Sequence, residues 1–313
     1  MIDVSVIIVN WNTRDILRDC LASIYEQKQD IEYEIIVVDN NSTDGSAAMV
    51  KADFTQAILI ENAENRGFAA ANNQGMAIAK GRYVLLLNSD TVILDNAIGK
   101  TIVFADDNPE VAVVGCRVLN SDKTMQPTCF MFPSILNMLL SSSFLYKLFP
   151  KSRFFGRERM TWWDRSDVQE VDVVTGCFML VRGDAIGQVG LMDEDFFMYA
   201  EETDWCYRFK QAGWKVMFAP VADIIHLGGQ SSQQIRVEMA VQIRVSILQF
   251  MKKHYNWFSY RIACLLIIAF LVFRLPFWCC IALLSRKKRR ESLLKVKAYM
   301  MCMSKTISCL CTS

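Results

Sequence analysis

Three stretches in the first third of the chain are apolar almost without a break, and each ends on an amide or a carboxylate: VSVIIVNW at residues 4–11, EIIVVD at 34–39 and RYVLLLNSD at 82–90. A strand with one wet face alternates apolar and polar side chains, whereas a strand covered on both faces does not. Runs of this kind therefore require a sheet with helices above and below it. The first run is followed by Asn12, Thr13 and a helical pattern through Ile16, Leu17, Cys20, Leu21 and Ile24, and the second by the turn DNNSTDGS and a helix from about Asp44. Residues 57–61 supply a further strand. The fold expected is α/β, doubly wound around a mainly parallel central sheet. Ligands of such sheets bind beyond the carboxyl ends of the strands, where Asp39 and the triplet Asn88-Ser89-Asp90 fall. Alone, Asp39 reads equally well as an Asx-turn residue and Asp90 as a helix cap. Their place at the ends of two such strands favours a shared crevice.

No GxGxxG or GxxxxGK[ST] loop follows the first strand, so a phosphate cradle of backbone amides is not the way a nucleotide would be held. Asn10, Trp11, Asn12 and the Asp39 turn offer side-chain contacts for a nucleoside instead, and a divalent cation, Mg²⁺ or Mn²⁺, near Asp90 would neutralise its diphosphate. After a stretch from 125 to 165 with no assigned role, acids and aromatics crowd together in GLMDEDFFMYAEETDWCYR at 190–208. Strand material at 171–174 and 177–181 precedes them, and residues 201–211 read as a helix ended near Gly213. On that helix Glu201 and Asp204 share a face while Glu202 looks partly sideways. Carboxylates crowded at a crevice raise one another's pKa and become candidate general bases; the competing reading is a solvated helix start that favours acids through its dipole. His226, in DIIHLGGQSS, is open to a structural role or to ligation of the same cation.

Taken in order, SVIIVNWN, VVDNNSTDGS, ENRGFAAANNQG, LLLNSDT, TGCFMLVR, GLMDEDFFMYAEETDWCYR and HLGGQS resemble the family 2 glycosyltransferases of the GT-A fold, especially the rhamnosyltransferase-like enzymes of bacterial cell-surface polysaccharide synthesis, over about residues 3–230. The resemblance implies that Asp39 holds the base or ribose of a nucleotide and that Asn65, Gly67 and Asn73 line the donor pocket. It places Asn88-Ser89-Asp90 at the family's DXD motif, with Asp90 a metal ligand, Asn88 a weaker neutral contact and His226 a second ligand or diphosphate contact. Glu202 matches the family's base, where Asp is often found, with Glu201 and Asp204 orienting base, sugar or acceptor. The implied reaction is an inverting transfer from a nucleoside-diphosphate sugar, such as dTDP-rhamnose, to a hydroxyl of a lipid-linked glycan. A nucleotidyltransferase or a noncatalytic sugar- or membrane-binding module are the alternatives.

The formal charge of +1 over 313 residues excludes a strongly basic nucleic-acid binder, but it is a cancellation. Residues 261–313 carry ten basic side chains and one acid, and residues 1–260 carry 24 and 32. The expected division is a glycosyltransferase domain over 1–240 and a basic helical tail over 241–313. Six of the eleven cysteines lie in that tail without a metal or disulfide spacing, so reduced thiols are expected. The N-terminus lacks a basic n-region and a cleavage site, which predicts a cytoplasmic front half. Within the tail, residues 262–273 are apolar, Arg274 and Pro276 interrupt, and the apolar run resumes to Leu284. That break predicts two halves, each too short to cross a bilayer, and basic flanks on both sides favour a re-entrant or in-plane hairpin at the cytoplasmic membrane face.

Overall fold

A computed structural model describes residues 1–27, 30–230 and 232–311. In chain order the elements are β1 (Val4–Asn10), α1 (Arg14–Tyr25), β2 (Tyr33–Asp39), α2 (Ser46–Asp53), β3 (Ile58–Glu61), α3 (Gly67–Met76), β4 (Tyr83–Asn88), β5 (Thr91–Ile93), α4 (Ala97–Asp107), β6 (Val111–Leu119) and β7 (Cys129–Phe130). They continue as α5 (Ile135–Ser143), α6 (Leu145–Leu148), β8 (Gln169–Glu170), β9 (Val173–Val174), β10 (Phe178–Arg182), α7 (Gly183–Val189), α8 (Glu201–Gln211), β11 (Lys215–His226), α9 (Arg236–His254), α10 (Trp257–Leu284) and α11 (Arg289–Cys311). The chain forms two compact units. The first takes Met1–Met131, Trp163–Phe197 and Glu201–Ser231, and the second Phe132–Trp162, Met198–Ala200 and Ser232–Ser313. Residues 132–162 thus belong with the C-terminal helices.

The first unit is built on one nine-stranded sheet in the order β3-β2-β1-β4-β10-β6-β11-β5, with β8 on β11 and a separate β7-β9 ribbon. The lack of alternation in the apolar runs has its cause here. Val6, Ile8, Val37, Leu85 and Leu87 belong to one core cluster with Leu17, Leu21 and Ile24 of α1, while the intervening Ile7, Ile36, Val38 and Leu86 are buried as well. Helix α3 packs on β1 and β2. The half made of β3, β2, β1 and β4 is entirely parallel, as the sequence leads one to expect. The other half is mixed: β10 runs antiparallel to β4 and β6, β6 parallel to β11, and β11 antiparallel to β5. The difference arises because β10 enters between two existing strands after a long excursion of chain, and β5 is a three-residue return after β4. The runs that become β5, β6 and β8 are strands the sequence reading leaves unassigned.

The registers align the strand ends that matter. Asn10 lies opposite Asp39, Val9 opposite Asn88, and His226 at the end of β11 opposite Thr91.

In the second unit, the apolar stretch is a single helix, α10, with Pro276 inside it, and not two halves. Pro276 lacks only one ladder donor. The Arg274 guanidinium is accommodated by the rings of Phe144 and Phe270, whose centroids lie 4.2 and 4.9 Å from it. A four-residue connection returns the chain as α11, antiparallel along α10, so the hairpin joins the apolar helix to a basic one. Arg261 Nη1 donates to the Leu310 carbonyl at 2.5 Å, and Lys295 Nζ lies 3.9 Å from the Trp278 ring centroid. The cysteines described, apart from Cys311, are free thiols.

Leu85 is fully buried on β4, between β1 and β10. Leu85→Ala is expected to lower unfolding stability by about 2–5 kcal/mol, read from urea denaturation, because a β-strand flanked by two other strands cannot collapse into the cavity.

Candidate active site

At the carboxyl ends of β1, β2 and β4 the apolar strands give way to a polar crown. Asp39 is buried; its Oδ1 accepts from Asn10 Nδ2 at 2.9 Å and its Oδ2 from the Ser42 amide at 2.9 Å. Asn10 Oδ1 accepts from the Thr13 hydroxyl at 2.7 Å, and Thr13 Oγ1 lies 3.1 Å from Ser89 Oγ. Four strand ends and turns are thereby tied into one rigid rim, in which each Asp39 oxygen keeps a lone pair for a ligand.

Next to this rim the structure brings together three residues that are far apart in sequence. Asp90 Oδ1 lies 3.1 Å from His226 Nε2, and Asn88 Nδ2 lies 3.2 Å from the same nitrogen. His226 Nδ1 is 2.6 Å from Gln126 Oε1. An amide oxygen cannot donate, so Nδ1 carries the proton. Gln126 is itself oriented, its Nε2 donating to Asn120 Oδ1 at 2.9 Å and to the His226 carbonyl at 3.4 Å. Nε2 faces the Asp90 carboxylate at 3.1 Å: a protonated His226 pairs with it as a salt bridge, whereas in a neutral ring Nε2 is an acceptor and the two groups together suit a cation held between them. Burial pushes the Asp90 carboxyl up, but His226 and the Gln230 amide outweigh it and hold the group below its ordinary range. It is an anion. Two donors bound side by side to one octahedral ion at about 2.1 Å lie about 3 Å apart, which the Asp90–His226 separation matches. Among the described residues no group of three or more His, Cys, Asp and Glu gathers to hold an ion. Gln126 is the site residue that sequence reasoning misses: it falls in a stretch without a motif, and only folding sets it against His226. The last residue of HLGGQS, Ser231, lies outside the described residues.

The acidic motif supplies the other side. Helix α8 packs against β11, and Phe197, four residues ahead of it, is held beyond the carboxyl end of β2: its carbonyl accepts from the Phe68 amide at 2.8 Å, and the neighbouring Gly67 carbonyl accepts from Asn40 Nδ2 at 3.0 Å. Glu201 is buried and Glu202 half-buried; Oε2 of each is shielded from solvent and has no hydrogen-bond partner among the described residues. Burial pushes Glu202 up to about 6. Burial, then the charge of Glu202, pushes Glu201 higher still. Glu202 is thus the more accessible of two carboxyls with an unused acceptor. Asp204 does not join them. It is fully buried in an ion pair with Arg208 Nε at 2.8 Å, and Arg208 in turn donates to the carbonyls of Val189 and Leu191.

Three residues expected around the donor are used to fix the segment leading into α8. Asn73 Nδ2 donates to Met192 O at 2.9 Å and to Glu194 Oε1 at 3.0 Å, and its Oδ1 accepts from the Met192 amide at 3.1 Å. Gly67 has a φ of +81°, and a Cβ there would sit 2.2 Å from the Phe197 carbonyl, which accepts from the Phe68 amide at 2.8 Å. Asn65 Oδ1 accepts from the Gly67 amide at 3.0 Å and holds that turn. Tyr199 and Ala200, just ahead of Glu201, both have left-handed φ values of 66° and 64°. Such backbone persists only where its surroundings hold it.

An α/β sheet with buried carboxylates and amides at its carboxyl ends is the architecture of a nucleotide-handling enzyme. A family model described as "Glycosyl transferase family 2" matches residues 5–162, and the chain belongs to that family. It is 24% identical over 235 residues, 71% of this chain and 76% of the other, to an N-acetylglucosaminyl-diphospho-decaprenol L-rhamnosyltransferase of Mycobacterium tuberculosis. It is 25% identical over 245 residues, 77% and 72% of the two chains, to the low-salt glycan biosynthesis hexosyltransferase Agl10 of Haloferax volcanii. The fold resembles that of the mannosyltransferase PcManGT from Pyrobaculum calidifontis, solved in complex with GDP-Man and Mn²⁺, with a TM-score of 0.56, 16% identity, and 96% and 86% of the two chains covered.

The loop clamp makes a specific demand. Gly67→Ala is expected to cost at least tenfold in kcat and to lower the melting temperature, since neither the backbone angle nor the Phe197 carbonyl leaves room for a methyl. Asn73→Ala is expected to lower kcat more than it raises the donor KM; the reverse pattern would return Asn73 to the donor pocket.

Proposed function

We propose that this chain is an inverting glycosyltransferase that moves a sugar from a nucleoside-diphosphate sugar, with dTDP-rhamnose the leading donor, to a hydroxyl of a lipid-linked glycan in cell-surface polysaccharide synthesis. The observation that carries the reading is the division of the sheet's carboxyl end into two chemistries. On one side Asp90 and His226 stand 3.1 Å apart; on the other Glu202 has an unused, shielded carboxylate oxygen and a raised pKa. The names of the two relatives support a sugar transferred to a lipid-borne or cell-surface glycan.

In the proposed reaction Asp39, braced by Asn10 and Ser42, orients the nucleoside, and Asn88 donates a neutral hydrogen bond beside the diphosphate. Asp90 and His226 hold Mg²⁺ or Mn²⁺, with Gln126 fixing the imidazole tautomer that leaves Nε2 available. The bound ion supplies charge neutralisation to the leaving nucleoside diphosphate. Glu202 takes the proton of the acceptor hydroxyl, whose oxygen forms the new bond to the anomeric carbon as the bond to the diphosphate breaks. Attack from the face opposite the leaving group inverts the configuration. Glu201, buried deeper and held neutral by its surroundings, keeps a second negative charge away from Glu202 and preserves it as a base near neutral pH. Asp204 orients α8 through Arg208. The tail favours association with the cytoplasmic face of the membrane: α10 has the length and composition to cross a bilayer, and only 17% of its most apolar window is buried within the molecule.

Glu202→Gln is expected to lower kcat by about 10²–10⁴ with donor affinity unchanged, whereas Glu201→Gln retains most activity; comparable turnover in Glu202→Gln and the native chain would sink the assignment. Because the base must be ionised, kcat/KM is expected to fall as pH drops through about 6 and to level off above it. Asp90→Ala should abolish Mn²⁺-dependent binding of a nucleoside diphosphate, read by calorimetry without any turnover. Product analysis decides the class: a free nucleoside diphosphate supports transfer, and released pyrophosphate would mean a nucleotidyltransferase.

A further inference from the structure

The second unit leaves a continuous apolar stripe uncovered. Along α10 the exposed side chains include Phe258, Leu265, Val272, Phe273, Phe277 and Leu283, with Phe273 at 82% and Leu283 at 81% exposure. The spacing of seven between Phe258, Leu265 and Val272 keeps them on one side of a helix; Leu283 falls on the same line, Phe273 within about a quadrant of it, and Phe277 about 120° around. Tyr260, Cys264, Ile267 and Leu271, on the opposite side, are buried. A stripe about 40 Å long with this much exposed aromatic and aliphatic surface is unlike the exterior of a soluble monomer.

Two features decide how lipid would meet it. The contacts Arg261–Leu310 and Trp278–Lys295 fix the register of the hairpin, so that Arg274 on α10 stands level with Lys297 on α11. Arg274 is within about four residues of the α10 midpoint, or about 6 Å along the axis. If α10 crossed a bilayer with its partner beside it, Arg274 and the exposed Lys297 would both lie near the centre of a hydrocarbon layer about 30 Å thick, where each cation is strongly disfavoured. Lying in the plane, the same hairpin turns the stripe to the acyl boundary and keeps Arg274 and Lys297 out of the hydrocarbon centre. The basic turn Arg286, Lys287, Lys288, Arg289 and Arg290 is exposed at one end. Residues 145–159 add Lys147, Lys151, Arg153, Arg157 and Arg159 against the single acid Glu158, together with exposed Leu148, Phe149 and Phe154. Phe144, stacked on Arg274, joins this segment to α10.

We propose that the second unit is a monotopic docking module for an anionic bilayer: α10 lies in the membrane plane with its exposed stripe in the acyl boundary, and the basic turn and the basic, aromatic segment 145–159 grip anionic headgroups. The proposal rests on the membrane association argued above and specifies its geometry and lipid class.

The test uses the full-length chain and sealed vesicles of phosphatidylcholine alone or with 30% phosphatidylglycerol, added from outside. Cosedimentation is expected to be at least tenfold tighter on the anionic vesicles and to weaken with salt. Arg286→Gln, Lys287→Gln, Lys288→Gln, Arg289→Gln and Arg290→Gln together are expected to lose at least tenfold of that binding, and Phe149→Ser with Phe154→Ser to lose several-fold, with transfer to a soluble acceptor unchanged. A protease site inserted after Ser285 should be cut by protease added outside. Equal binding to both vesicles with the site protected would mean that α10 spans, and would overturn this geometry while leaving membrane association standing. Absence of binding to either vesicle would remove membrane association itself. A dimer in solution that fails to bind vesicles would assign the stripe to a second copy of the chain and overturn the proposal.

Discussion

The whole site hangs on where β11 ends. That strand pairs with β6 along one edge and with the short return β5 along the other, and the register sets His226 opposite Thr91, one residue past Asp90. The buried Asp90 carboxylate then lies 3.1 Å from His226 Nε2, in a ring that Gln126 orients through Nδ1. The pairing stands at the carboxyl end of the sheet, beside the hydrogen-bonded rim around Asp39.

The acidic motif is positioned from outside itself. Its approach, residues 190–200, has little regular structure, and it is tied down at several points: by Trp205 and Arg208 to the carbonyls of Gly190, Val189 and Leu191, by Asn73 at Met192 and Glu194, and by the Gly67–Phe68 turn at Phe197. The consequence is a pair of glutamates at the first two positions of α8, each with an oxygen that nothing among the described residues satisfies. Such groups cost stability, and they are tolerated where a substrate completes them. Gly67 and Asn73 therefore hold the segment leading into α8 through backbone geometry and hydrogen bonds, beside the donor-pocket role that the resemblance implies for them.

The charge division seen in the composition takes physical form in the second unit. Its cations are set along a helix and a segment that also expose large apolar side chains, and several are held against aromatic rings: Arg153 on Trp162, Arg274 on Phe144, Lys295 on Trp278. Aromatic stacking keeps the long side chains extended and their heads presented without neutralising them. One chain thus carries an acidic region with the glycosyltransferase motifs and a basic, greasy helical region.

The sequence by itself determined the parallel half of the sheet, because apolar runs that do not alternate admit only burial on both faces, and the helices α1, α2 and α8 in their places. It also marked Asp39, Asn88 and Asp90 by their place at the ends of such strands, Glu201 and Glu202 by an acidic motif at a helix start, and His226 by the short motif around it, each with a structural reading beside the functional one. It left β6 and Gln126 unnoticed, for neither carries a motif and each gains its meaning from a partner far along the chain. Only the tertiary structure decided that Asp204 is spent on Arg208, that Asn73 braces a loop, and that Arg274 and Pro276 lie within one helix. In each case the reason is the same: hydrogen bonds and ring contacts across long sequence separations satisfy or leave unsatisfied a polar group, and local pattern carries no record of that choice.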